Sequence, residues 1–154
     1  MAGLARGSGA AAGSDLAGST ARGVIGAMAM SGLRQLTRAL GLVSQTPPES
    51  VLRRTAPRAF HRLPVGRRPA LVELVHWAYG AAGGAGFGAL PASWRERAWA
   101  GPAYGLAVWA LFEAGIAPVL GISRRRSHTR VEAAVLLVDH LLYGAVVAGR
   151  PALR

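Results

Sequence analysis

Glu73 and His76 stand three residues apart in one apolar stretch of this chain, Glu113 lies in a second, and Asp139 and His140 adjoin in a third. Arg34 and Arg38 close a fourth. Three kinds of chemistry suit such a set. Carboxylates and imidazoles on neighbouring helices can pass protons, with histidine titrating near neutral pH. The same groups with Arg34 as counter-ion can form an ion-pair network that fixes helix register, since buried charges need partners whatever the function. Finally, Glu73-x-x-His76 is half of the Glu-x-x-His pattern of carboxylate di-metal bundles, to which Glu113, Asp139 and His140 could add ligands. A single copy of that spacing arises easily by chance, and oxygen and nitrogen ligands alone specify no metal. The expectation is therefore no metal, no cofactor and no catalytic residue, with an intramembrane polar cluster of Arg34, Glu73, His76, Glu113, Asp139 and His140.

The elements that must position these residues read as membrane spans. An ionisable side chain in lipid costs about 2.5–3.5 kcal/mol on insertion scales, so these groups should face a protein interior. Of the 154 residues, 51% are hydrophobic and 16% charged, against about 25% charged in ordinary soluble domains. Mean hydropathy is +0.29. The spacing predicts spans near 16–40, 70–90, 98–120 and 131–148, each able to cross about 30 Å as a helix at 1.5 Å per residue. The expected fold is an all-α, polytopic four-transmembrane-helix bundle. Residues 1–15, rich in Ala, Gly and Ser, read as a disordered tail with no signal-peptide core. Residues 41–69 carry Pro47, Pro48, Pro57, Pro64 and Pro69 and read as a basic loop with at most one short helix, near 48–54.

Helical phase places packing residues beside the charges. Gly80 and Gly84 continue the Glu73/His76 face, and Gly101 and Gly105 precede Glu113 on theirs. Small residues let helix backbones approach, so these four glycines are expected to pack helices together. Glu132, Leu136, Asp139, His140 and Tyr143 form one stripe of the last span. Antiparallel threading then puts all the ionisable groups in the half of the bundle nearest the basic loops, or at its middle.

The net charge of +11 rests entirely on arginine, without a lysine, in an Ala/Gly/Arg-rich composition typical of GC-rich bacterial coding. The arginines lie between apolar runs and not along one amphipathic face, which argues against a nucleic-acid partner. Twelve of the eighteen fall in or beside the 41–69 and 121–130 connections. The positive-inside rule makes those loops cytoplasmic and both termini external. Trp94 and Trp99 suit headgroup-level anchors. With no cysteine, thiolate chemistry and disulfides are excluded. The Gly80–Gly88 stretch lacks the Lys-Ser/Thr of a phosphate loop, and no nucleophile elbow accompanies Ser31, Ser93 or Ser127.

In order along the chain stand Glu73-Leu-Val-His76-Trp77-Ala-Tyr79-Gly80, Gly101-Pro-Ala-Tyr104-Gly105, then Glu132 and Asp139-His140-Leu-Leu-Tyr143-Gly144. This order resembles the YagU-like family of small bacterial inner-membrane proteins over roughly residues 23–149. The family is largely a domain of unknown function with a suggested tie to acid tolerance. The resemblance implies a polytopic inner-membrane protein and no established reaction. The functional expectation is a small integral membrane protein of the transport or membrane/pH-homeostasis kind, in a lipid bilayer, alone, with a second copy or with a membrane-protein partner. The alternative is a non-catalytic membrane scaffold or assembly subunit whose glycine faces bind another helix.

Overall fold

A computed structural model describes residues 4–42, 47–122 and 130–149, with the side chains of 4–14 and 47 left out of the description. Every element among them is helical. Four long helices carry the fold: α1 (Leu4–Ala39), α4 (Arg68–Gly88), α6 (Ala100–Val119) and α7 (Arg130–Ala148). Between them lie the short α2 (Pro47–Thr55), α3 (Pro57–Arg62) and α5 (Ala92–Arg95).

Proline and glycine set the boundaries. Proline occupies the first turn of α2, α3, α4 and α6, where its missing N–H has no intrahelical partner to lose. Gly41, Gly121 and Gly149 follow α1, α6 and α7 with φ of 70°, 62° and 56°, the left-handed conformation glycine reaches without a Cβ penalty. After α1 and α6 the amide three residues past the helix returns to a last-turn carbonyl, Leu42 to Thr37 at 2.8 Å and Ile122 to Ala117 at 2.9 Å. That closes orphan carbonyls.

Arginines also reach helix C-terminal ends. Arg22 Nε donates to the Val147 carbonyl at 2.9 Å, Arg95 Nε to Leu90 at 3.0 Å and Arg54 Nη2 to Gly121 at 3.1 Å. Cationic donors at helix C-termini satisfy free carbonyls and suit the helix dipole.

Neighbouring long helices run antiparallel. On the α1–α4 seam, Ser19 meets Gly84 and Gly88, Gly23 meets Gly80 and Gly84, and Ser31 meets Glu73. On the α6–α7 seam, Gly101 and Gly105 lie against Gly144 and the His140 carbonyl. The α1–α7 seam is closed by Gly26 under Tyr143 and by Arg22 on Val147. Met30, Phe87, Ala100, Tyr143 and Val147 form the central apolar cluster.

Three features differ from the sequence reading. Helix α1 begins at Leu4, within the stretch read as a tail, while residues 1–3 lie outside the described residues. The 41–69 connection holds two helices and a 3₁₀ turn (Val65–Arg67) instead of at most one helix. Its prolines start helices, and Leu52 and Phe60 bury against Val72 at the foot of α4. Arg53 and Arg68 flank the Phe60 ring at 5.1 and 5.5 Å, so the basic residues pack as cation–π partners. Third, among the described residues two helices, α6 and α7, are long and apolar enough to cross a membrane.

Helix α6 is also not uniformly α. Residues Phe112–Ile116 form a π-turn, in which the Ala117 amide reaches back five residues to Phe112. Pro118 accounts for it. A proline ring crowds the carbonyl four residues back and offers no N–H, and widening the preceding turn relieves both.

Candidate functional site

Arg34 sits late on α1, one turn past Ser31 on the same face, and is 6% exposed. Its Nη2 donates to His76 Nε2 on α4 at 3.0 Å, and its Nη1 lies 4.0 Å from Glu73 Oε1. A guanidinium has no acceptor, so this contact is a hydrogen bond only while His76 Nε2 carries no proton. Ser31 Oγ donates to Glu73 Oε2 and accepts from Trp77 Nε1 at 3.3 Å. From α7, the His140 Nδ1–H donates to the Leu136 carbonyl at 2.7 Å, which fixes the proton on that nitrogen.

Asp139 is 2% exposed. Its Oδ1 has no hydrogen-bond partner, nor have Nε and Nη1 of Arg34. All three atoms are buried, and leaving such groups unpaired costs about 1–3 kcal/mol each or more when charged. Arg34, Asp139, His76 and His140 line one cavity of about 130 Å³. Its other walls are largely apolar: Val75 and Tyr79 from α4, Val108, Phe112 and Ile116 from α6, Met30, Leu136 and Tyr143. Pro48 and Val51 of α2 complete it at the basic end.

Two tyrosines tie α4 to the neighbouring helices. Tyr143 Oη donates to the Gly80 carbonyl and Tyr104 Oη to the Gly83 carbonyl, each at 2.6 Å. These bonds span α7 to α4 and α6 to α4 at mid-bundle and beyond. Nearer the basic end, Phe112 and Ile116 of the π-turn line the cavity.

Each residue singled out from sequence has a place. Arg34, His76, Asp139 and His140 meet at the cavity, with Glu73 beside it through Arg34 and Ser31. Glu113 is half-buried in the π-turn and is not among the cavity-lining residues, although Phe112 and Ile116 on either side are. Position 113 lies eight residues past Gly105, about 80° off its face at 3.6 residues per turn, so Phe112 and not Glu113 continues that face to the cavity. Gly80, Gly84, Gly101 and Gly105 all lie in seams of this chain's own bundle. Arg38 is exposed, so the two arginines of α1 part company. The residues 123–129, with the triple arginine, lie outside the described residues.

Sequence reasoning missed Ser31, Met30, Tyr79 and the α2 residues. Ser31 precedes Arg34 by three on one helix, a spacing that marks a shared face. Pro48 and Val51 carried no such signal, because only the folded loop brings them to the cavity.

Fold and site together define a class: an all-helical bundle with a partly open, largely apolar cavity that Arg34, Asp139 and two histidines line. Among the described residues no group of three or more acids and histidines is placed to hold a metal ion. The chain matches no family model, no curated protein and no solved structure.

Proposed function

We propose that the four long helices cross a bacterial inner membrane, with the basic connections cytoplasmic, and that the Arg34–Glu73–His76–Asp139–His140 cluster handles protons in transport or pH homeostasis. The lipid setting is supported by apolar surface turned outward. In the apolar windows of α6 and α7 only 11% and 33% of residues are buried, unlike the core helix of a soluble protein. Ile25, Leu36, Leu74, Leu106, Leu111 and Val138 are exposed around the bundle. Resemblance to the YagU-like family points the same way.

One observation carries the proton reading: Arg34 and Asp139, both more than nine-tenths buried and each with buried atoms that lack a hydrogen-bond partner, line one cavity together with two histidines. Two carboxylates face one guanidinium there, an imbalance that a bound proton offsets. Protonating His76 at Nε2 would remove the acceptor that Arg34 uses and set two cations together. Proton uptake at His76 is thereby coupled to movement of Arg34.

Proton flux into proteoliposomes tests this, comparing the natural chain with His76→Gln and His140→Gln. Glutamine can still accept from Arg34 and still donate to the Leu136 carbonyl, but it does not titrate. Flux that falls in these variants at unchanged folded yield supports the reading. Flux that persists, or that is absent from the natural chain too, overturns it. The scaffold alternative loses its first argument, because the four glycines expected to offer a docking face are occupied within the chain.

A further inference from the structure

Six of the eighteen arginines fall between the start of α2 and the first residue of α4, over residues 47–68, against one acid, Glu49. The fold uses three of them. Arg53 pairs with Glu49 at 2.9 Å, Arg54 donates to the Gly121 carbonyl, and Arg68 donates to the carbonyls of Leu63 and His61. Arg58, Arg62 and Arg67 are exposed, and among the described residues their side chains make no hydrogen bond, ion pair or ring contact. The core sets their direction. Phe60 is 1% exposed and buries with Leu52 and Val72. At 3.6 residues per turn, Arg58 and Arg62 each lie about 160° around α3 from Phe60, so seating that ring against α4 turns both guanidinium groups outward.

We infer that α3 and the turn after it form a docking surface for the anionic phospholipid headgroups of the bilayer that the bundle spans, with Arg58, Arg62 and Arg67 on lipid phosphates and Val65 at the acyl boundary. The inference rests on the membrane-spanning reading. In that setting α4, with 21 residues, is about 31 Å long, and the hydrocarbon is about 30 Å thick. Val72 and Val75, which pack in the Phe60 cluster, lie within about the first two turns of α4. That contact holds α3 at headgroup depth. Val65, 73% exposed, stands in the 3₁₀ turn between Arg62 and Arg67. A guanidinium can meet a phosphate with two parallel N–H donors, and an apolar side chain among such cations suits the headgroup–acyl boundary. Positive charge that the described chain does not neutralise is the complement of an anionic leaflet.

The chain has no cysteine, and a Cβ at Gly66 would meet nothing within 4 Å, so Gly66→Cys carries an environment-sensitive fluorophore beside Val65 without displacing a neighbour. The full chain is placed in phosphatidylcholine nanodiscs, and emission is followed as phosphatidylglycerol replaces part of the lipid. The expected result is a blue shift that saturates with the anionic fraction and weakens at high salt. Arg58→Gln, Arg62→Gln and Arg67→Gln should each weaken the response about fivefold, the equivalent of about 1 kcal/mol per arginine at an anionic surface. All three together should abolish it, whereas Arg97→Gln, at the other end of α4, should leave it unchanged. A chain that enters neutral nanodiscs and shows no shift with phosphatidylglycerol overturns the docking surface and leaves the spanning reading intact. So does a shift that survives in the triple variant. A chain that enters neither kind of nanodisc overturns the spanning reading, and this inference with it. A shift produced in neutral nanodiscs by inorganic phosphate or by a single-stranded oligonucleotide overturns the assignment to lipid.

Discussion

Arg34 is the residue on which the interior depends. Among the described residues it is the one guanidinium facing Glu73, His76 and Asp139, and two of its three nitrogens lack a hydrogen-bond partner. Removing it strands charge. Arg34→Met leaves two carboxylates without their cation and should lower unfolding free energy by about 3–5 kcal/mol, the usual cost of breaking one side of a buried pair. Asp139→Leu removes an acceptor that already lacks a hydrogen bond, and Arg34 keeps Glu73, so its cost should be nearer 1–3 kcal/mol. Combining the two removes the charged pair while Glu73 still lacks its cation, so only part of the single losses is recovered. The double variant should therefore be more stable than the sum of the single losses predicts, with a coupling of about 1–3 kcal/mol in denaturant titrations of the detergent-solubilised protein. Strictly additive losses would show that Arg34 and Asp139 do not act on each other.

At the scale of elements, backbone proximity at the glycine seams decides the fold. A Cβ on Gly84 would meet the Ser19 carbonyl and lie 2.9 Å from Gly23 Cα, and one on Gly105 would lie 2.9 Å from the His140 carbonyl carbon. Those neighbours are backbone and cannot swing aside. Gly84→Ala and Gly105→Ala should each destabilise by about 1–3 kcal/mol through overpacking. Gly32 is the control. It lies in α1, and a Cβ there would have nothing within 4 Å, so Gly32→Ala should stabilise by about 0.5–1 kcal/mol. Thermal unfolding of the three variants checks both signs, and a uniform effect would refute the seam argument. The seams were legible in the sequence because small residues recur at helical spacing, and so was the gathering of Arg34, Glu73, His76, Asp139 and His140 at one depth. Two things were not. Glu113, eight residues past Gly105, is about 80° off that face at 3.6 residues per turn, so Phe112 takes the cavity position expected of it. The folding of 47–62 over the base of α4 depends on Leu52 and Phe60 finding Val72, a contact between segments that no local pattern announces.

For the molecule as a whole, the open question is how many helices cross lipid, and the absence of cysteine makes it directly answerable. Hydropathy alone selects α6 and α7, since α1 carries Arg34 and Arg38 and α4 mixes Glu73 and His76 with its apolar run. The packing is compatible with the proposed four spans. Arg34 is buried by α4 and α7, so its charge is presented to the bundle and not to lipid, and the insertion penalty assigned to an isolated helix does not apply. The two arrangements place three surface positions differently. Arg58, in the basic connection, and Arg97, before α6, lie at opposite ends of α4; Ile122, after α6, lies at the end with Arg58. If all four long helices span, Arg58→Cys and Ile122→Cys share one side and Arg97→Cys lies on the other. If α6 and α7 alone span, no crossing separates positions 58 and 97, which then share a side opposite 122. An impermeant maleimide applied to sealed vesicles of known orientation reads the pattern. The expected labelling pairs 58 with 122 on the cytoplasmic side, as the arginine distribution requires, and leaves 97 outside. Labelling that pairs 58 with 97 would leave α1 and α4 out of the hydrocarbon, put the Arg34–Asp139 cavity at a water-facing boundary, and remove the basis for an intramembrane proton site.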